Sequence, residues 1–269
     1  MIWCRYQENG TPRFGIVDGD SVVDVDGSPF DRAEPTGRRF GLDQVKLLPP
    51  SWPVTFFCVG LNYRGHIEHA KARGNAVAKL PERPEVGYRA NNALIGHEDE
   101  IVVPQDLPGP LEAEPEVAAV IGRPIRNASR ADARRAILGW TIGNDVSARS
   151  WQQADRTLWR AKNCDTFKPM GPWIVTDADP EDATTTMRVN GANVSSFATG
   201  EMIFDAIDYI VEITKYITMA PGDVLWMGAD GTAPIAPGDT VEIHVTGIGT
   251  LRNRVVGHNG FPSAKGNGK

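Results

Sequence analysis

Residues Leu111–Gly122 read LEAEPEVAAVIG. Glu112, Glu114 and Glu116 stand at alternate positions and run directly into the apolar stretch Val117–Ile121. In an extended chain, residues i and i+2 point to the same face. Glu114 and Glu116 therefore project together, with Glu112 close by, at the mouth of a buried strand. Two carboxylates that close repel, and something must offset the repulsion. Spacing alone admits two readings. One is a solvated edge whose charges discourage strand pairing. The other is an oxygen-donor pair for a hard divalent cation, for which magnesium, manganese and calcium all have the right preference.

The surrounding chain is strand-rich. VTFFCVG (54–60) reads as another buried strand, and PWIVT, VLWMG and TVEIHVTGIG as further ones. MRVNGANVSSF is a hairpin with Asn190-Gly191 at its turn. Ser129 followed by Asp132 marks a helix start. A second helix is expected near 148–160, and Ile203, Ile207, Ile210 and Ile213 recur at helical spacing. Helices do not alternate with strands, which predicts an α+β fold rather than a doubly wound sheet. Residues 1–50, with turn signals at Asn9-Gly10 and Asp18-Gly19, form a small N-terminal β unit. The proline-rich LLPPSWP is a rigid linker into a main domain over 51–260. Residues 74–85 read as a mobile loop, and 261–269 as a disordered tail.

Composition narrows the function. The 269 residues carry a net charge of −6 with no basic block, which argues against nucleic acid and anionic membranes. The first residues lack a signal peptide, and no apolar run is long enough to span a bilayer. Cys4, Cys58 and Cys164 are odd in number and widely spaced, as in a reduced, cytoplasmic protein.

GWTIGNDVSAR supplies a third acid, Asp145; AKNCDTFKPMGPW supplies Lys162; CVGLNYRGHIEHA supplies His66 and His69. The order and spacing of these pieces, with VNG, PGDVLWMG and GIGTLRNRV, resemble the fumarylacetoacetate hydrolase family over about residues 57–256. The resemblance implies a mixed β-sandwich roll around a metal site, commonly in a homodimer. It implies Glu114, Glu116 and Asp145 as ligands of magnesium or manganese, and Lys162 beside the metal. It places Arg89, Arg149 and Gln152 against a small-molecule 2-oxo acid substrate. His66 and His69 fall where the family has a catalytic dyad, with His69 at the position of the dyad glutamate; the resemblance implies His69, with His66 beside it, as the general base for an attacking water. His97, His244 and His258 read as structural.

Three departures stand out. Asn62 replaces an additional aspartate ligand of the larger hydrolases. Ala229 replaces a threonine that contacts the substrate carboxylate, a role for which Thr232 is the nearest substitute. Asp230 either adds an acid to the site or serves the turn before Gly231. Asp165 and Lys168 read as bystanders, Trp151 and Trp159 as helix packing, and Cys164 lacks a partner that would make it a nucleophile. The expected activity is hydrolysis of a C–C bond in an acylpyruvate or 2,4-dioxo acid. The alternatives are decarboxylation or isomerisation of a 2-oxo dicarboxylate, hydration or dehydration of a 2-keto-3-deoxy acid, and a non-catalytic metal-binding protein.

Overall fold

The computed structural model describes residues 1–72 and 80–258. The expected tail over 261–269 and residues 74–79 of the expected loop lie outside the described residues, as does the side chain of His69.

Pro115–Ile121 is the spine of a twelve-stranded sheet. Ile137–Asn144 pairs with it on one side and Val224–Trp226 on the other, both antiparallel. Lys168–Val175 extends the sheet beyond Ile137–Asn144, and Phe56–Val59 with Val86–Tyr88 completes the opposite end. A five-stranded sheet runs Ala192–Ala198, Thr184–Val189, Thr240–Val245, Gly249–Val256, Glu100–Val102. The result is the expected β-rich α+β arrangement.

The two-residue period decides what each side of the spine touches. Val117, Ala119 and Ile121 enter a core with Met187, Ile243 and Leu251 of the smaller sheet. Ala118 and Val120 enter a second core with Trp3, Phe56, Met170 and Trp226. All five are buried, each contributing on the order of 1–3 kcal/mol depending on its size. Gly143 pairs with Glu116 across the ladder, and a Cβ there would sit 2.8 Å from the Trp226 ring. Only glycine lets that indole close the core directly behind Glu116.

The N-terminal strands join the same sheet, with Ile2 opposite Val175 and Trp3 opposite Ile174. Their own centre is Asp24, fully buried and bonded by Tyr6 at 2.5 Å and Arg13 at 2.7 Å. The Ser129–Asp132 capping box forms as the sequence predicts and starts Arg130–Ala136. The single helix expected near 148–160 is instead two short ones, Arg149–Gln152 and Trp159–Asn163. Leu158 between them has φ 56°, a left-handed conformation that no helix continues through. Trp151 is buried as expected, whereas Trp159 is 66% exposed. The break turns Trp159 away from the packed face. Among the described residues no helix is long and apolar enough to cross a membrane.

Candidate metal centre

The acids meet where the spine's ladder ends. Pro115 lies opposite Asn144, and just beyond them the Asp145 N–H donates to the Glu114 carbonyl at 3.0 Å. The Asn144 side chain accepts from the Glu114 N–H at 3.0 Å, locking the same corner. Glu114, Glu116 and Asp145 each turn inward there. One carboxylate oxygen from each lies within 4.8 Å of the others, and all three residues are buried.

Four basic side chains surround them. Arg89 grips Asp145 with two bonds, of 3.1 and 2.9 Å. Lys162 lies 3.0 Å from both Glu114 oxygens and 2.7 Å from Asp145. Lys168 lies 2.8 Å from Asp145 and donates to the Val146 and Phe167 carbonyls at 2.9 and 2.8 Å. Arg149 donates to Glu112 at 2.9 Å, to Gln152 at 2.7 Å, and also to Glu114. Ser147 adds a hydroxyl bond to Glu114 at 3.0 Å.

The charges are unevenly shared. Burial pushes the Asp145 carboxyl up, but Arg89, Lys162 and Lys168 outweigh it and hold the group well below the usual range. Glu114 is lowered in the same way: burial opposes ionisation, and Lys162 and Arg149 overcome it. Glu116 goes the other way. Burial, then repulsion from Asp145 and Glu114, raises it well above an ordinary glutamate, against one Gly228 N–H at 2.7 Å. Glu116 has no ion pair among the described residues. A divalent cation at the triad would supply the cationic partner that Glu116 lacks, and three carboxylate oxygens are hard donors suited to magnesium or manganese. The donor set fits the metal that the sequence implies.

His66 stands in the first turn of Arg64–Ala72, half-buried. Burial lowers its pKa below 6.5; Glu114 and Asp230 oppose this, while Arg149 and Lys162 reinforce it. The imidazole is therefore within electrostatic reach of the triad, and burial favours its neutral form. Asn62 is fully occupied elsewhere, donating to the Phe204 and Met227 carbonyls at 3.1 and 3.0 Å and accepting from the Phe204 N–H at 3.1 Å. It braces the loop behind the site. Ala229 is buried and has no hydroxyl to offer. Thr232 precedes Ala233, which pairs with Ala113, and makes no hydrogen bond to the acids among the described residues.

The structure thus gathers Glu114, Glu116, Asp145, Lys162, Arg89, Arg149 and Gln152 into one cluster, with His66 at its edge. Thr232, next to the Ala113–Ala233 pair, makes no hydrogen bond to the cluster among the described residues. The reading of Lys168 as a bystander is corrected: it is fully buried on Asp145. A lysine inside the otherwise apolar strand Lys168–Val175 was the available signal. His97 is structural as expected, accepting from the Arg252 N–H at 3.1 Å.

The fumarylacetoacetate hydrolase C-terminal model matches residues 55–256, and a separate Rv2993c-like N-terminal model matches residues 1–50. The chain belongs to the fumarylacetoacetate hydrolase family. A solved family structure, 5-carboxymethyl-2-hydroxymuconate delta-isomerase from Mycobacterium smegmatis, matches with a TM-score of 0.86 at 38% identity, over 96% of this chain and 100% of that one. The mitochondrial oxaloacetate tautomerase Fahd2a of Rattus norvegicus is 32% identical, over 91% of this chain and 88% of its own. The 2,4-didehydro-3-deoxy-L-rhamnonate hydrolase of a Sphingomonas strain is 30% identical, over 95% and 96% respectively. The family therefore spans isomerisation, tautomerisation and hydrolysis on one fold.

Proposed function

We propose that the protein is a divalent-metal-dependent hydrolase that cleaves a C–C bond in a 2,4-dioxo acid. The observation that carries this reading is a half-buried His66, its pKa lowered by burial, at the edge of a buried acid triad in which Glu116 has no basic partner among the described residues. Glu114, Glu116 and Asp145 would hold magnesium or manganese. When bound, the cation supplies Lewis-acid stabilisation of negative charge on the oxo-acid oxygens.

The remaining work falls to side chains. Lys162, fixed by Glu114 and Asp145, holds a positive charge where oxyanion charge grows. Arg89 holds Asp145 in place, and Arg149 holds Glu112 and Glu114. His66 accepts a proton as the water oxygen bonds to the distal carbonyl carbon. The C–C bond then breaks, its electron pair passes into the enolate, and the proton held by His66 returns to carbon on ketonisation. His69 shares the helix with His66 and is the second candidate base. The setting we favour is a cytoplasmic homodimer acting on a free small molecule.

Tautomerisation or isomerisation of a 2-oxo dicarboxylate is the second reading, favoured by the similarity to Fahd2a and the M. smegmatis isomerase. It needs the same enolate but no attacking water. Product analysis separates the two. The protein is incubated with a panel of 2-oxo and 2,4-dioxo acids, with manganese or with chelator, and products are identified by mass. Two metal-dependent fragments support hydrolysis. Interconversion without fragments supports the second reading.

A further inference from the structure

The loop after Val224–Trp226 carries a carboxylate that the chemistry above leaves unused. Its Gly228 N–H holds Glu116, and two residues on, Asp230 lies against the first turn of Arg64–Ala72. A Cβ on Gly65 would sit 2.5 Å from Asp230 Oδ1 and 2.8 Å from Oδ2, so the helix backbone and the carboxylate are in contact. On the other side, a Cβ on Gly231 would meet the Ser195 hydroxyl at 2.5 Å. The loop is wedged between the helix and the hairpin strand Ala192–Ala198, and Asp230 has little room to turn away.

Asp230 Oδ1 is buried and has no hydrogen-bond partner among the described residues. A buried acceptor left in this way is costly unless a donor arrives. The basic side chains at the triad do not supply one: Arg89, Arg149, Lys162 and Lys168 are paired with Glu112, Glu114 and Asp145. The next residue along the helix is His66, whose imidazole feels Asp230 and the triad together. A substrate held at the triad and attacked beside His66 would therefore extend toward Asp230.

We infer that Asp230 is a specificity-determining residue that accepts a hydrogen bond from a hydroxyl on the substrate's remote end. The substrate is then a hydroxylated 2-oxo acid, and one ending in a second carboxylate is repelled. This inference rests on the proposed site. A charge-assisted bond of this kind is worth about a 10- to 100-fold preference.

The test uses the full-length, manganese-loaded protein and three 2,4-dioxo acids of equal length, ending in a hydroxylated carbon, a plain alkyl carbon or a carboxylate. Dissociation constants are measured by calorimetry, and kcat/KM by product formation. The expected order is hydroxylated, then alkyl, then carboxylate. Asp230→Ala should bring the hydroxyl-to-alkyl ratio to about one. Asp230→Asn, which keeps shape and an acceptor, should retain part of that ratio and improve the carboxylate-ended acid. An unchanged ratio in Asp230→Ala, wild-type preference for the carboxylate, or no binding of any of the three would overturn the inference. Binding in the expected order without cleavage would instead overturn the hydrolase reading and leave Asp230's role standing.

Discussion

Replacing Glu116 with Gln tests the electrostatics of the centre through a sign that a merely structural glutamate would not give. Glutamine keeps the acceptor for the Gly228 N–H at 2.7 Å and removes the charge that Asp145 and Glu114 repel. The raised Glu116 pKa makes ionisation costly in the metal-free fold. The unfolded chain releases this proton near 4.5, while the folded chain retains it to a much higher pH. The contribution to stability is full below 4.5 and declines as pH rises toward the folded value. The variant has no such loss. In chelator at pH 8 it should melt at or above the wild type. Metal inverts the comparison. At 100 times its dissociation constant, a ligand that binds only the native state adds about 2.7 kcal/mol. For a chain of this size that corresponds to roughly 5–11 °C in Tm. Wild type should show that rise with manganese, and Glu116→Gln should show none. Thermal melts with manganese and with chelator read both effects. A variant that keeps the metal-induced rise, or melts several degrees below wild type in chelator, would refute the reasoning.

Lys168→Met removes one cation from Asp145 and leaves the Val146 and Phe167 carbonyls without their donor. Chemical denaturation should show a loss of about 3–5 kcal/mol, as for other broken buried pairs. Lys162→Met should lower kcat and kcat/KM together, because its charge matters most in the transition state. His66→Gln should reduce kcat/KM by about 10²- to 10⁴-fold while metal stoichiometry, read by elemental analysis, stays at wild-type level. Since burial lowers the His66 pKa, the acid limb of the wild-type rate profile should lie below pH 6.5.

What the sequence made legible were features set by local spacing. The alternation of Glu114, Glu116 and Ala118 fixed which side of the strand carries the acids. Ser129 and Asp132 fixed a helix start within four residues, and Asn190-Gly191 fixed a hairpin turn with both residues at positive φ. What stayed hidden depends on register between distant strands. Lys168 reaches Asp145 because Gly143 pairs with Met170, and nothing in FKPMG announces that pairing. The same holds for Arg89, which crosses 56 positions of chain to clamp Asp145. Trp159 is exposed for a different reason: the helical spacing runs through Leu158, whose left-handed backbone ends the helix there and is not announced by its residue type. Asp230 looked like a turn residue, and its buried, unpartnered oxygen emerges only when the loop is packed on Gly65.

Isotope transfer from solvent tests the hydrolytic account most directly. Single turnover of a 2,4-dioxo acid is run in oxygen-18 water with manganese-loaded protein, and both products are weighed by mass spectrometry. The account predicts one solvent-derived oxygen in the carboxylate formed from the distal carbonyl, in step with C–C cleavage and absent when chelator replaces manganese. Metal-dependent conversion of the substrate with no cleavage and no labelled carboxylate would contradict it.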